Sequence, residues 1–166
     1  IAEAKKLLAE AGVTPGNKVR IDTRSLITNL NTATFMQDTL TRLGFDTSIS
    51  VNESALHYEV MRTGNFDVVA TGLGLPLDDP DALFSEFFIS KAPRNYTGLK
   101  DPKVDELFER QSRTLDPAAR KKLVIDMQRA YLDNPGYIPI LWRVVNMALW
   151  KEVRDYKFPT HTFTNT

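Results

Sequence analysis

With 166 residues, 42% hydrophobic and 25% charged, the chain has the size and makeup of one globular domain able to bury a sizeable core. Its 21 basic and 21 acidic residues cancel, which leaves no electrostatic footprint for nucleic acid or an anionic membrane surface. The absence of cysteine excludes disulfides, thiolate catalysis and cysteine metal sites, and fits an oxidising or a reducing compartment alike.

Ala4, Leu7, Leu8 and Ala11 recur at helical spacing and Gly12 stops the pattern, predicting a short amphipathic helix. The chain opens on Ile1 inside this pattern, with no secretory signal and no run long enough to span a membrane, and is expected to be a fragment of something longer. After a turn cluster at 13–17, Val19 and Ile21 alternate with Lys18, Arg20 and Asp22, the pattern of a half-buried strand near 19–25. The polar residues from Thr23 to Asn31 read as a loop. A helix near 32–43 follows, with Ala33, Met36, Leu40 and Leu43 on one face and Gly44 at its end. Phe45, Thr47, Ile49 and Val51 alternate with polar neighbours as a second strand. Ser54 reads as the N-cap of a helix running to about Thr63, with Leu56, Val60 and Met61 facing inward. Gly64 supplies a left-handed helix end, and Phe66 to Thr71 is an apolar, β-branched run of the kind found in central strands. The first half thus alternates strand and helix, which predicts right-handed crossovers and an α/β fold with a mainly parallel sheet flanked by helices.

The second half is more helical. Asp81 to Phe88 reads as a short helix with Leu83, Phe84, Phe87 and Phe88 on its apolar side, and 89–100 as a loop. Asp101-Pro102 and Asp116-Pro117 each place an N-cap before a proline at the first helical position. Val104, Leu107 and Phe108 stripe the first of these helices; Leu123, Met127, Ala130 and Tyr131 stripe the second, which Asn134-Pro135-Gly136 stops. Tyr137–Leu141 and Val144–Leu149 are two further strand candidates, and after Trp150 the chain turns polar.

Chemistry-bearing patterns are few. His57 and His161 lack metal-ligand spacing and read as surface residues. Gly72-Leu73-Gly74 does not extend into a dinucleotide fingerprint, because Pro76 and Leu77 occupy the later places. Asp78, Asp79 and Asp81 are read as a helix start rather than a hard-cation site. The two glycines sit at the carboxyl end of a buried strand, where they serve either a turn or the close approach of a ligand. Arg94-Asn95-Tyr96-Thr97 either offers an amide and a phenol to a ligand or packs its tyrosine against the body.

Taken in order, several short pieces resemble the C-terminal lobe of extracytoplasmic solute-binding proteins of the oligopeptide/dipeptide type (family 5), which serve ABC importers. They are residues 4–12, 40–45, Thr63-Gly64-Asn65-Phe66-Asp67, Asp79-Pro80, Asn95-Tyr96-Thr97-Gly98 before 101–107, and Ile138-Pro139-Ile140-Leu141. The resemblance implies a periplasmic-binding-protein-like lobe over 1–150 and a tail over 151–166 that returns towards the N-terminal lobe absent here. It also implies hinge closure around a small solute, such as a peptide, sugar or opine. The implied partners are the importer's membrane subunits and that N-terminal lobe, with no nucleic acid. The implied location is periplasmic or extracytoplasmic, membrane-associated through the importer. No cofactor, metal or catalytic residue is implied.

The residues expected to meet the solute are Gly72, Leu73 and Gly74, with polar contacts from Asn95 and Tyr96 and with Arg143 where a returning strand meets the cleft. One departure stands out. Peptide-binding members commonly carry a tryptophan and, three residues on, an amine-pairing aspartate in the loop after this strand; the corresponding positions here are Leu73 and Pro76. Proline supplies neither carboxylate nor N–H, so the ligand class stays open unless Asp78 or Asp79 substitutes. The alternatives are a small α/β hydrolase or transferase domain, which needs an acid, base and nucleophile set not recognisable here, and a ligand-sensing regulatory module, which needs an adjoining effector domain.

Overall fold

The computed structural model describes residues 1–74, 77, 79–142, 144 and 146–156. They fall into two compact units, Ile1–Leu73 and Gly74–Thr166. In the first unit the three expected strands are β1 (Lys18–Arg24), β2 (Asp46–Asn52) and β3 (Val68–Val69), and they form one parallel sheet in the order β2-β1-β3. Parallel neighbours need a crossover. Helix α2 (Ile27–Leu43) supplies it between β1 and β2, and α3 (Ser54–Thr63) between β2 and β3; α1 (Ala2–Glu10) precedes them. Gly44 and Gly64 end α2 and α3 with φ of 106° and 69°, the left-handed conformation that glycine adopts without a Cβ penalty.

The core of this unit joins Ile21 of β1 to Ala33 of α2 and Ala70, with Met36, Leu40, Ile49 and Val68 packed around them. Ile21 and Thr23 face α2, so Arg20, Asp22 and Arg24 face the opposite side, as strand alternation requires. Four expectations are corrected here. Helix α2 starts at Ile27, inside the polar stretch read as loop, because Asn29 is buried and its Nδ2 donates to Ala70 O at 3.3 Å. Ser54 is the first residue of α3 rather than its cap; Glu53 takes the cap position without a side-chain bond. Leu56 is 54% exposed whereas His57 is completely buried, because His57, Val60 and Met61 form the i, i+3, i+4 stripe that faces inward. Strand β3 is shorter than the apolar run. At its entry Asp67 Oδ2 accepts from the Arg20 backbone N–H at 2.8 Å, a side chain standing in for a main-chain partner.

In the second unit α4 (Pro80–Leu83) passes directly into a π-helical turn, Phe84–Phe88, so the short helix read from 81 to 88 widens midway. Two phenylalanines of the turn, Phe84 and Phe87, are fully buried. Helices α5 (Pro102–Ser112) and α6 (Pro117–Asp133) begin as read: Asp101 accepts from the N–H groups of Lys103 and Val104 at 2.8 and 3.3 Å, and Asp116 from that of Ala119 at 2.7 Å. Phe84, Val104, Leu107, Val124, Met127 and Tyr131 make the core, and Phe88 stacks on Tyr131 with ring centroids 4.4 Å apart. The described residues of Tyr137–Leu141 and Val144–Leu149 form no strand, and Trp142 is 90% exposed. Apolar β-branched composition marks a segment that suits a sheet, but a strand exists only with a partner to bond. No described helix is long and apolar enough to cross a membrane.

Candidate ligand-binding site

Ligands of open parallel sheets sit outside the carboxyl ends of the strands. At that end of this sheet, register pairs Arg24, the last residue of β1, with Asn52, the last of β2. On the other side, Arg24 and Thr71 each stand two residues beyond the Asp22–Val69 pair. Helix α3 adds His57 and Tyr58.

The buried charge in this cluster is Asp22, 2% exposed. Its Oδ2 accepts from Arg20 Nε at 2.8 Å and its Oδ1 from Asn52 Nδ2 at 3.1 Å, the pairing that a buried carboxylate requires. With Asp22 committed to Arg20, Arg24 has no carboxylate partner among the described residues. Its guanidinium lies 5.8 Å from the Tyr58 ring centroid, and its Nε is buried without an acceptor. His57 places Nε2 3.2 Å from Thr71 Oγ1, while Nδ1 is buried and unpartnered. Burial first, and the Arg24 charge second, push the His57 imidazole below its ordinary pKa; Asp22 opposes them. A histidine beside a hydroxyl has the outline of a base and a nucleophile, but such a pair needs a third group to orient the base, and Nδ1 has none. What the arrangement can do is receive anionic oxygen at a guanidinium.

Thr71 leads into the exposed Gly72 and Leu73, with Gly74 next along the chain in the second unit. A Cβ at Gly72 or Gly74 would meet no atom within 4 Å, and neither residue has positive φ. Neither packing against the described residues nor backbone conformation therefore calls for glycine at these places. In the second unit Asn95 spends its amide on its own loop: Nδ2 donates to Ile89 O at 3.2 Å and Leu99 O at 2.7 Å, and Oδ1 accepts from Thr97 Oγ1 at 3.0 Å. Tyr96 is half-buried, and its N–H donates to the Tyr137 hydroxyl at 3.4 Å, which in turn donates to Arg94 O at 2.7 Å. Burial pushes that Tyr137 hydroxyl up to about 12. Pro76, Asp78, Arg143 and His161 lie outside the described residues.

The carboxylates of the possible cation site are engaged otherwise. Asp79 caps α4 through the Asp81 N–H and pairs with Arg120; Asp81 accepts from Gln111 and Ser112. No group of three or more histidine or acidic residues is placed to hold a metal among the described residues. Sequence reasoning passed over Arg24 and read His57 as a surface residue, whereas it is completely buried. The available signals were an arginine closing an alternating strand, and a histidine three and four residues before Val60 and Met61 on one helix stripe.

Residues 1–95 match the bacterial extracellular solute-binding proteins, family 5 Middle. No curated protein matches the chain. Among solved structures it is similar to the ABC transporter-associated periplasmic binding protein DppA from Helicobacter pylori in complex with peptide STSA. That match has a TM-score of 0.77 and 25% identity, over 83% of this chain and 28% of that one. HbpA2 from Haemophilus parasuis follows with a TM-score of 0.74 and 26% identity, over 81% of this chain and 28% of that one. The fold is shared also with AgaA from A.tumefacien R10 in complex with agropinic acid, with a TM-score of 0.71 and 24% identity, again over 81% of this chain and 28% of that one. The chain thus spans under a third of the length of these structures.

Proposed function

Because the chain belongs to the bacterial extracellular solute-binding proteins of family 5, we propose that it builds one wall of the cleft in which the binding component of an ABC importer holds a small solute. The observation that carries this reading is Arg24, a guanidinium at the carboxyl end of a parallel sheet with no carboxylate partner among the described residues. A guanidinium so placed suits a solute carboxylate, and both a peptide and an opine acid bring one. Gly72, Leu73 and Gly74 lie against the solute, their glycines leaving the backbone open to it. Tyr96 and Arg143 join as further contacts on the strength of their sequence positions alone, and Asn95 braces the loop that carries Tyr96. The protein works outside the cytoplasm by binding and release, without catalysis, and delivers to the importer's membrane subunits.

The reading is tested by calorimetry on the longer polypeptide that contains this chain, titrated with the peptide Ser-Thr-Ser-Ala, with agropinic acid and with their carboxyl-amidated forms. Binding of a free acid that fails for its amide and for the variant Arg24→Gln supports it. Acids, amides and the Arg24 variant that bind alike overturn it.

A further inference from the structure

Thr71 is the last residue before the exposed Gly72–Leu73 stretch, and its hydroxyl is held from below by a histidine that is completely buried. A neutral imidazole carries one proton. On Nδ1 it would leave a buried N–H with no acceptor; on Nε2 it leaves only an unmet lone pair, the smaller penalty. The favoured tautomer therefore has Nε2–H donating to Thr71 Oγ1. A second proton would go to Nδ1, creating the orphaned donor and a buried cation at once.

The groups that face the ring decide how such a cation fares. From β1 come Arg24, a like charge, and Asp22, whose two oxygens are already taken by Arg20 and by Asn52 of β2. From α3 itself comes Tyr58, edge-on with centroids 5.7 Å apart. From the segment after β3 comes, among the described residues, only the Thr71 hydroxyl. No carboxylate in this set is unengaged.

We infer that His57 is a positioning residue for the solute loop: neutral and buried, its Nε2–H pins Thr71 beside Gly72 and Leu73, whereas protonation leaves that donor in place but creates a buried cation with an orphaned Nδ1–H, which favours an opened state in which the ring reaches water and the pin is lost, so that the loop loosens in acid. This rests on the reading of that loop as part of a solute site, but its test needs no solute. The direction follows from burial and Arg24, which hold the imidazole below its ordinary 6.5. The full stability of the pinned state is present above that value and is lost as pH falls through the lower folded one.

The test is nuclear magnetic resonance on the 166-residue chain with His161→Gln, which leaves one histidine. The ring proton of His57 is titrated, and the backbone order parameters of Thr71, Gly72 and Leu73 are followed over the same pH range, with α5 as the internal control. The expected result is a His57 midpoint below 6.5 and, at the same midpoint, a fall of the loop order parameters from about 0.85 towards about 0.6, α5 unchanged. In Thr71→Val the loop is loose at all pH values, and in His57→Gln it loses its pH response. A loop indifferent to the titration, a midpoint at or above 6.5, or an unchanged pH response in His57→Gln overturns the inference. A responsive loop in a protein whose Arg24 variant binds solutes normally removes the solute reading and leaves the role of His57 intact.

Discussion

Asp79 grips Arg120 through both carboxylate oxygens, Oδ1 to Nη2 at 2.7 Å and Oδ2 to Nη1 at 3.0 Å. The same Oδ1 accepts the Asp81 N–H at 2.8 Å and so caps α4, while Arg120 Nε donates to Gln111 Oε1 at 3.0 Å. One carboxylate thus ties the start of α4 to α6 and, through Gln111, to α5. The Arg120 hydrogen bonds, followed by the Asp81 N–H, hold Asp79 below its ordinary pKa of 3.8.

The two functions of Asp79 separate by substitution. Asparagine keeps a cap and removes the charge, and the pair is partly solvated, so Asp79→Asn costs about 0.2–1 kcal/mol. Alanine removes the cap as well and costs about 1 kcal/mol more. A carboxylate held below its ordinary value contributes stability that is present above 3.8 and lost as pH falls through the folded value. Urea titrations from about pH 7 down to about pH 2 are expected to show the difference between the parent and Asp79→Asn shrinking below about pH 4. A difference constant over that range would mean that the ion pair contributes nothing.

Asp101 and Asp116 act locally, each accepting N–H groups from the first turn of its own helix. Replacing either with alanine is expected to cost about 1 kcal/mol, and with asparagine a few tenths. The sites share no partner, so the double alanine variant is expected to lose the sum of the two. Denaturant midpoints at constant slope measure this, and losses within error at both sites would show that water serves these helix starts equally well.

Legibility in the sequence followed the range of the determining interaction. The Asp-Pro starts at 101 and 116 and the glycine ends at 44 and 64 are settled within a few residues, and the structure has them as read; the strand read from Val19 and Ile21 is also there, but Asp22 is buried on the face expected to meet water. Asn29, Asp67, His57 and Arg24 are settled by partners, or by the lack of one, about 14 to 47 residues away. A polar stretch therefore read as loop where Asn29 bonds Ala70, and a histidine read as surface where Thr71 waits for it. The glycine loop was visible as a candidate because its place after a buried strand is a local pattern; the guanidinium and imidazole beside it were not.

Gly136 backs directly onto Thr97. A Cβ added there would lie 2.4 Å from Thr97 Oγ1 and 3.1 Å from its Cβ. Thr97 Oγ1 is itself held at 3.0 Å from Asn95 Oδ1, so it cannot swing away without loosening the loop that carries Tyr96. Gly136→Ala is expected to cost about 1–3 kcal/mol as an overpacking change. Thr97→Ala is expected to recover much of that loss in the double variant, a coupling that a double-mutant cycle reads directly. Additive effects would show that the backbone at 136 gives way instead.

Gly72 and Gly74 make the opposite case. With open space among the described residues at both Cβ positions and no positive φ, alanine at either is expected to leave stability unchanged or raise it by about 0.4–1 kcal/mol through the unfolded chain. If the backbone there lies against a solute, the same methyl groups intrude on it, and affinity in the longer polypeptide falls while the melting temperature holds or rises. Calorimetry and thermal denaturation on the same variants separate the two effects. Unchanged affinity at both positions would remove this loop from the site.

The 166-residue chain on its own is expected to fold yet hold a solute far more weakly than the longer polypeptide. It spans 28% of the DppA and HbpA2 chains to which it is similar, and on the function proposed above it supplies one wall of the cleft. Small-molecule sites usually bury about 70–90% of the ligand surface. A single wall leaves the far side of the solute in water, and the Arg24 guanidinium then meets its carboxylate in high dielectric, where an ion pair is worth about 0–1 kcal/mol. The cost of immobilising the solute is undiminished. Matched calorimetric titrations of the chain and of the longer polypeptide, with the same free acids, are expected to show heat of binding in the second alone. Equal affinity in both would place the whole site within these residues, and the one-wall reading would fall.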